Sequence, residues 1–126
     1  MLTIVWNHHI RSRGNQSVAF RPIERARLLV ARDGDGVVIG FATVGGKWSS
    51  LRAARIAVME DLFVEPAARG QGAAGALIRA CADRTRELGA PVLSWMTATD
   101  NHRAQAVYER AGATGSTWLE YELELA

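Results

Sequence analysis

From Arg27 onward the apolar positions come in short dense runs. Leu28-Leu29-Val30-Ala31 and Val37 to Val44 have the length and branched composition of strands. Asp33-Gly34-Asp35-Gly36 lies between them, and Gly and Asp tolerate the positive φ that a tight hairpin needs. A second break at Gly45-Gly46-Lys47 leads through Ser49-Ser50 to a third run, Arg55 to Val64. The three runs predict an antiparallel meander.

The period then changes. Ala74, Leu77, Ile78, Cys81, Thr85 and Leu88 follow the spacing of one buried helical face, which predicts a helix over Gly72 to Leu88. Arg79, Asp83, Arg86 and Glu87 lie mostly off that face. Gly89 is placed to end the helix, and Pro91 prevents its continuation. Val92 to Met96 reads as a strand. Asp100 is a suitable N-cap for a second helix through Ala111, followed by Gly112. Thr117 to Leu125 alternates as a last strand, with Leu119, Tyr121, Leu123 and Leu125 on one face and Trp118, Glu120, Glu122 and Glu124 on the other.

The front is less regular. Leu2 to Trp6 fits a short strand, and His8 to Ser17 is polar and basic with a Gly14-Asn15 turn signal. Pro22 to Arg27 fits one helical turn or an extended lead-in. The order strands, helix, strand, helix, strand predicts an α+β domain around one mixed sheet. We read residues 1–126 as one domain, with 1–27 an atypical short N-terminal segment and 28–126 the core.

Composition narrows the class without naming a function. A chain of 126 residues, 48% of them hydrophobic, can bury one core. No run reaches the roughly 18 to 20 apolar residues of a membrane span, and Met1 to Ile10 lacks the pattern of a signal peptide. Cys81 has no second cysteine to pair with and fits a reducing cytosol, so a cytoplasmic location is expected. A net charge of +2, from 15 basic and 13 acidic residues, gives no argument for nucleic acid. Neither a membrane nor a nucleic-acid partner is expected.

The stretch from Leu62 to Gly75 carries the most chemistry. Leu62-Phe63-Val64 ends a strand, Arg69-Gly70-Gln71-Gly72 makes a turn, and Ala73-Ala74-Gly75 opens a helix. The first N–H groups of a helix lack internal partners and sit at the positive end of its dipole, so phosphate oxygens can satisfy them. Gly70 and Gly72 remove the Cβ atoms that would hold a ligand away, and Arg69 can add a charge-assisted contact. A turn that only reverses the chain would look the same. The turn lacks the Gly-Lys-Ser/Thr of a nucleotide P-loop, and a meander precedes it rather than the βαβ unit of a dinucleotide site.

Val64-Glu65-Pro66 followed by Arg69-Gly70-Gln71-Gly72-Ala73-Ala74 resembles motif A of the GNAT acetyltransferases, whose core reads Gln/Arg-x-x-Gly-x-Gly/Ala. Asp100 to Gly112 resembles motif B, Asn-x-x-Ala-x-x-x-Tyr-x-x-x-Gly, through Asn101, Ala104, Tyr108 and Gly112. The pair occurs in the family's order, and the resemblance runs from Leu28 to the end of the sequence. It implies a mixed, mostly antiparallel central sheet with helices on both faces. It also implies acetyl-CoA as acyl donor; no metal is expected, since the sequence has no Cys/His cluster. The backbone from Gly70 to Gly75 would hold the pyrophosphate. The pantetheine arm would lie along Leu62-Phe63-Val64, where that strand splays from Val92 to Met96. Asn101 matches a residue on the pantetheine side, and Tyr108 matches one near the sulfur.

The implied reaction is direct attack of a primary amine on the thioester. An alkylammonium has a pKa near 10, so only about one molecule in a thousand is free amine at neutral pH, worth roughly 4 kcal/mol of barrier. Glu60 and Asp61 are the candidate bases. Alternation puts them on opposite faces, and Glu60 is preferred unless a bulge intervenes. A carboxylate here could equally order a loop. By family precedent a backbone N–H near Leu62 donates to the developing oxyanion. Tyr108 can protonate the departing thiolate, although its spacing with Ala104, Val107 and Ala111 also suits a core aromatic.

Other features read as structure. Adjacent His8 and His9 make a poor metal pair, and His102 is expected to be solvated. Cys81 falls on the buried helix face. Trp48, Trp95 and Trp118 fit core packing better than an acceptor pocket. Glu120, Glu122 and Glu124 would attract a polycation if they bordered a cleft.

The sequence departs from the family at Ala74, where Gly is usual, and at the front. About 27 residues precede Leu28, with no convincing amphipathic helix, where family members carry a first strand and two helices that form much of the acceptor wall. An acceptor site that is open, truncated or completed by another subunit is therefore expected. A homodimer that completes this wall is expected. The expected function is N-acetylation of a small-molecule amine, such as an aminoglycoside or a polyamine. The alternatives are a protein lysine or N-terminal acetyltransferase, or a non-catalytic acyl-CoA-binding module.

Overall fold

A computed structural model describes residues 2–7 and 27–126. The expectations for His8 to Ser17 and for residues 22–26 lie outside the described residues. The chain forms two compact units, Met1–Met96 and Thr97–Ala126.

The first unit holds the sheet. β1 (Thr3–Asn7), β2 (Arg27–Arg32), β3 (Val38–Ser49) and β4 (Ala54–Val64) pair antiparallel in chain order. After helix α1 (Ala73–Glu87), the short strand β5 (Leu93–Ser94) returns parallel to β4. The β2–β3 turn forms as its residues predict. Asp33 Oδ1 accepts the N–H groups of Asp35 and Val37 at 2.9 and 3.0 Å. These bonds satisfy donors that the ladder leaves behind.

One expected break is absent. Gly45 and Gly46 stay inside β3, opposite Val58 and Ala57. Glycine is a poor strand residue, but hairpin pairing to β4 supplies its hydrogen bonds. The chain turns later, at Ser50–Ala53, where the Ser49 hydroxyl accepts the Arg52 N–H at 3.3 Å. The strand expected over Val92 to Met96 contracts to Leu93 and Ser94, which pair with Ala57 and Val58.

Helix α1 lies against β2, β3 and β4. Leu29, Ala31 and Ala42 from the sheet and Leu77 and Cys81 from the helix are fully buried, with Ile78 beside them. Truncating Leu77 to Ala would cost about 2–5 kcal/mol through lost burial and the cavity left. Thr85, also buried, gives its hydroxyl proton to Cys81 O at 2.8 Å, so no polar atom of that side chain is stranded. Leu88 is exposed instead of completing the face, because the helix ends at Glu87 and Gly89 takes φ 76°.

The second unit holds α2 (His102–Arg110). Asn101, not Asp100, caps it: Asn101 Oδ1 accepts the Ala104 N–H at 3.2 Å. Asp100 sits one residue too early to reach that donor. The strand expected over Thr117 to Leu125 does not pair. The segment lies outside any sheet among the described residues, and Trp118, Leu119, Tyr121, Leu123 and Leu125 are all exposed. Alternation describes a chain able to join a sheet, but it does not supply the edge.

Candidate active site

The central feature is a bulge in β4. Val44 pairs with Met59 and Thr43 with Asp61, so Glu60 is an extra residue with no opposite number. One inserted residue reverses both parities of the strand beyond it.

The first parity concerns side chains. Met59 lies level with Val44, on the face that α1 covers, so Glu60 turns to the other face. Asp61 lies level with Thr43 on that same far face, and Thr43 Oγ1 donates to Asp61 Oδ2 at 2.6 Å. The two carboxylates therefore share a face, which corrects the expectation from simple alternation. Both are exposed. Phe41 and Phe63 flank them on this face, with ring centroids 5.8 Å apart. Thr43 is a site residue that sequence reasoning missed. Its signal, a lone hydroxyl in an apolar run, gains meaning only with the register.

The second parity concerns the backbone. Ala57 N–H points toward β5 and donates to Val92 O at 3.0 Å, whereas Glu65 N–H points toward β3 and donates to Ile39 O at 2.7 Å. Counting back from Glu65, residues 63 and 61 also face β3, so Leu62 and Val64 aim their N–H and C=O groups at the opposite edge. Among the described residues that edge carries no strand past Val58, since β5 stops at Ser94. Without the bulge, Leu62 would face β3. The bulge thus brings the Leu62 N–H to an open edge and sets two carboxylates beside it.

The same strand leads into the turn. Arg69 Nε donates to Val64 O at 3.0 Å, folding the arginine back over the turn and taking that carbonyl. Gly70 and Gly72 have φ of 85° and 84°, so both are required by conformation as well as by close approach. Gly72 caps α1 without a side chain, and no acidic residue occupies the first turn. The first helical bond runs from Ala76 N–H to Gly72 O at 3.0 Å, leaving the N–H groups of Ala73, Ala74 and Gly75 outside the helix ladder. Gln71 and Gly72 are exposed at its mouth. A diphosphate suits this cradle: N–H donors sit at a positive helix end, Arg69 belongs to the same turn, and the first helical turn carries no acid.

In the second unit, Asn101 spends its carbonyl oxygen on the cap and keeps its amide N–H groups as donors. Gln105 Nε2 donates to Ala98 O and Thr99 O, both at 3.1 Å, fixing the approach to α2. Ala104, Val107 and Tyr108 are half-buried and Ala111 is exposed, so the face that carries Tyr108 is not a closed core among the described residues.

The remaining candidates separate cleanly. Burial pushes the Cys81 thiol up to about 12, which keeps it protonated and unsuited to nucleophilic work. His102 is exposed at the start of α2. His8 and His9 lie outside the described residues. Trp48 and Trp118 are exposed and Trp95 is half-buried, so core packing does not describe the first two. No cluster of three His, Cys, Asp or Glu side chains suited to a metal occurs among the described residues.

Comparison with known proteins identifies the family. Residues 4–113 match the model of the Acetyltransferase (GNAT) family. The chain belongs to the GNAT acetyltransferase family. It is 38% identical over 85 residues to the uncharacterized N-acetyltransferase YhfO of Bacillus subtilis, covering 68% of this chain and 56% of that protein. It is 37% identical over 75 residues to the D-amino-acid N-acetyltransferase HPA3 of Saccharomyces cerevisiae, covering 60% of this chain and 47% of that one. The chain thus spans about half the length of these relatives. Among solved structures, a ribosomal-protein-alanine N-acetyltransferase from Brucella melitensis shares the fold with a TM-score of 0.74 at 20% identity, covering 99% of this chain and all of that one. GNAT proteins generally use acetyl-CoA as donor, and the cradle from Arg69 to Gly75 has the chemistry its diphosphate requires.

Proposed function

We propose that the protein transfers an acetyl group from acetyl-CoA to the primary amine of a small molecule. The observation that carries this reading is the β4 bulge at Glu60, which groups a backbone donor, two carboxylates and the phosphate cradle along one strand. Acetyl-CoA, when bound, supplies the activated acyl group. In this reading the N–H groups of Gly70 to Gly75, with Arg69, hold its diphosphate. The open edge at Leu62 and Val64 takes the pantetheine amides as an added strand would. The Leu62 N–H donates to the carbonyl oxygen that gains charge. Glu60 removes the ammonium proton of the acceptor, directly or through water. Asp61, held by Thr43, adds negative potential that draws a cationic amine. The resemblance of Asn101, Ala104 and Tyr108 to the family's second motif assigns the first two to the pantetheine and the Tyr108 phenol to protonating the leaving sulfur.

A small-molecule acceptor is favoured by the relative HPA3, a D-amino-acid N-acetyltransferase. Incubating the protein with acetyl-CoA and a panel of amino acids, polyamines, aminoglycosides and peptides, while following free thiol, tests the proposal. Thiol release dependent on a small amine is expected. Release with peptides alone would indicate a protein acetyltransferase, and binding without release would indicate an acyl-CoA-binding module.

A further inference from the structure

Arg79 takes no part in the interactions that hold α1 in place. It is exposed, and no hydrogen bond or ion pair joins it to another described residue. The other two arginines of the same helix are both committed. Arg84 Nη1 meets Glu87 Oε2 at 2.9 Å, and Arg86 Nη1 meets Asp83 Oδ1 at 2.8 Å. Asp83 lies one turn beyond Arg79, at a spacing that lets opposite charges on a helix pair. It pairs with Arg86 instead.

The Arg79 side chain runs the other way. Helical side chains lean toward the N-terminus and cover the turn before their own Cα. Arg79 Nη1 lies 3.3 Å from the point that a Cβ would occupy on Gly75. The guanidinium is therefore carried back to the level of Gly75, in the first turn, where the N–H groups of Ala73, Ala74 and Gly75 stay outside the helix ladder. This placement opposes the electrostatics of the helix alone. A cation is favoured at the negative C-terminal end and disfavoured at the positive N-terminal end. No acid in the first turn offsets it. A guanidinium held beside a positive helix end, with no counter-charge, suits an anion that both can share.

We propose that Arg79 is a phosphate-binding residue of the acyl-donor site, its guanidinium donating to a phosphate of the coenzyme at the rim of the cradle from Gly70 to Gly75. The proposal rests on the donor-site reading and adds a residue that lies outside the Gly-rich turn and its motif. The planar fork of a guanidinium matches two oxygens of one phosphate. Arg69 serves differently, because its Nε is tied to Val64 O at 3.0 Å. Arg79 has no such tie and is free to close on the ligand. Coenzyme A carries a diphosphate and a separate 3′-phosphate, and both offer this chemistry. The place of Nη1 beside Gly75 favours the diphosphate.

Equilibrium binding to the wild type, Arg79→Ala and Arg79→Lys tests it. The ligands are coenzyme A and dephospho-coenzyme A, followed by calorimetry, and pantetheine, followed by amide NMR. Arg79→Ala should weaken coenzyme A about tenfold, the scale of one charge-assisted contact, and should flatten the salt dependence of its binding. Arg79→Lys keeps the charge and should recover part of the loss. Pantetheine has no phosphate, so its affinity should be the same for all three proteins. An equal loss with dephospho-coenzyme A places the guanidinium on the diphosphate, and a loss confined to coenzyme A places it on the 3′-phosphate. Melting temperatures of the free proteins check that the variants fold. Unchanged coenzyme A affinity in Arg79→Ala would overturn the proposal and leave the donor site standing. An equal loss for pantetheine would also overturn it, since Arg79 would then act through the fold. A wild type that does not bind coenzyme A would overturn both the proposal and the donor-site reading.

Discussion

Thr43 Oγ1 reaches Asp61 Oδ2 at 2.6 Å across the β3–β4 ladder, one residue past the bulge at Glu60. The bond engages Asp61, whereas no hydrogen bond joins Glu60 to another described side chain. In the proposed reaction that difference assigns them different work. Glu60→Gln should lower kcat for an amine acceptor about a hundredfold at neutral pH, the low end for loss of a general base. Asp61→Asn should act mainly on KM for cationic acceptors. Steady-state kinetics on both variants check the split. Equal loss of kcat in both would make the pair a joint base.

Tyr108→Phe should reduce turnover by at least about tenfold while leaving acetyl-CoA affinity within about twofold. Single-turnover thiol release and calorimetric titration separate the two quantities. Unchanged turnover would remove Tyr108 from the acid role.

The two ends of the Gly-rich turn should respond oppositely to alanine. At Gly72 a Cβ meets nothing within 4 Å, but φ is 84°, so Gly72→Ala carries a conformational cost of about 1–2 kcal/mol. It should lower the melting temperature and weaken acetyl-CoA binding. Gly75 has helical φ, and an added Cβ would touch only the movable end of Arg79 at 3.3 Å. Gly75→Ala keeps the N–H and should be neutral or stabilising by up to about 1 kcal/mol. Thermal melts with and without acetyl-CoA compare them.

The Cys81 thiol, at about 12 in the fold against 9.0 when unperturbed, makes a signed prediction. The folded state holds its proton more tightly, so the stabilisation is complete below pH 9 and is lost as pH rises from about 9 toward 12. Cys81→Ala should cost stability at neutral pH through the cavity, yet show a shallower alkaline decline. Urea unfolding at pH 7, 9 and 10 reads both effects. A native-state thiol reagent should react only as fast as the protein opens.

The features legible in the sequence are the local ones. The Asp33–Gly36 turn, the buried stripe from Leu77 through Thr85, and the Gly89 stop each depend on residues within a few positions. What depended on a partner strand was not legible. Gly45 and Gly46 look like a turn until β4 is known to run alongside. The bulge at Glu60 is invisible because residue types do not record register, and it decides which acids share a face. Thr117 to Leu125 has the alternation of a strand without a partner edge. Asn101 and Tyr108 were found through a motif, since spacing alone suits a core aromatic equally well.

The central claim is that the bulged strand and the turn after it form the acyl-donor site. The direct measurement is the amide NMR spectrum of the labelled protein during titration with coenzyme A. The account predicts the largest shifts at Leu62 and from Gly70 to Gly75. Saturable binding that leaves those amides unmoved, or the absence of binding, would contradict it.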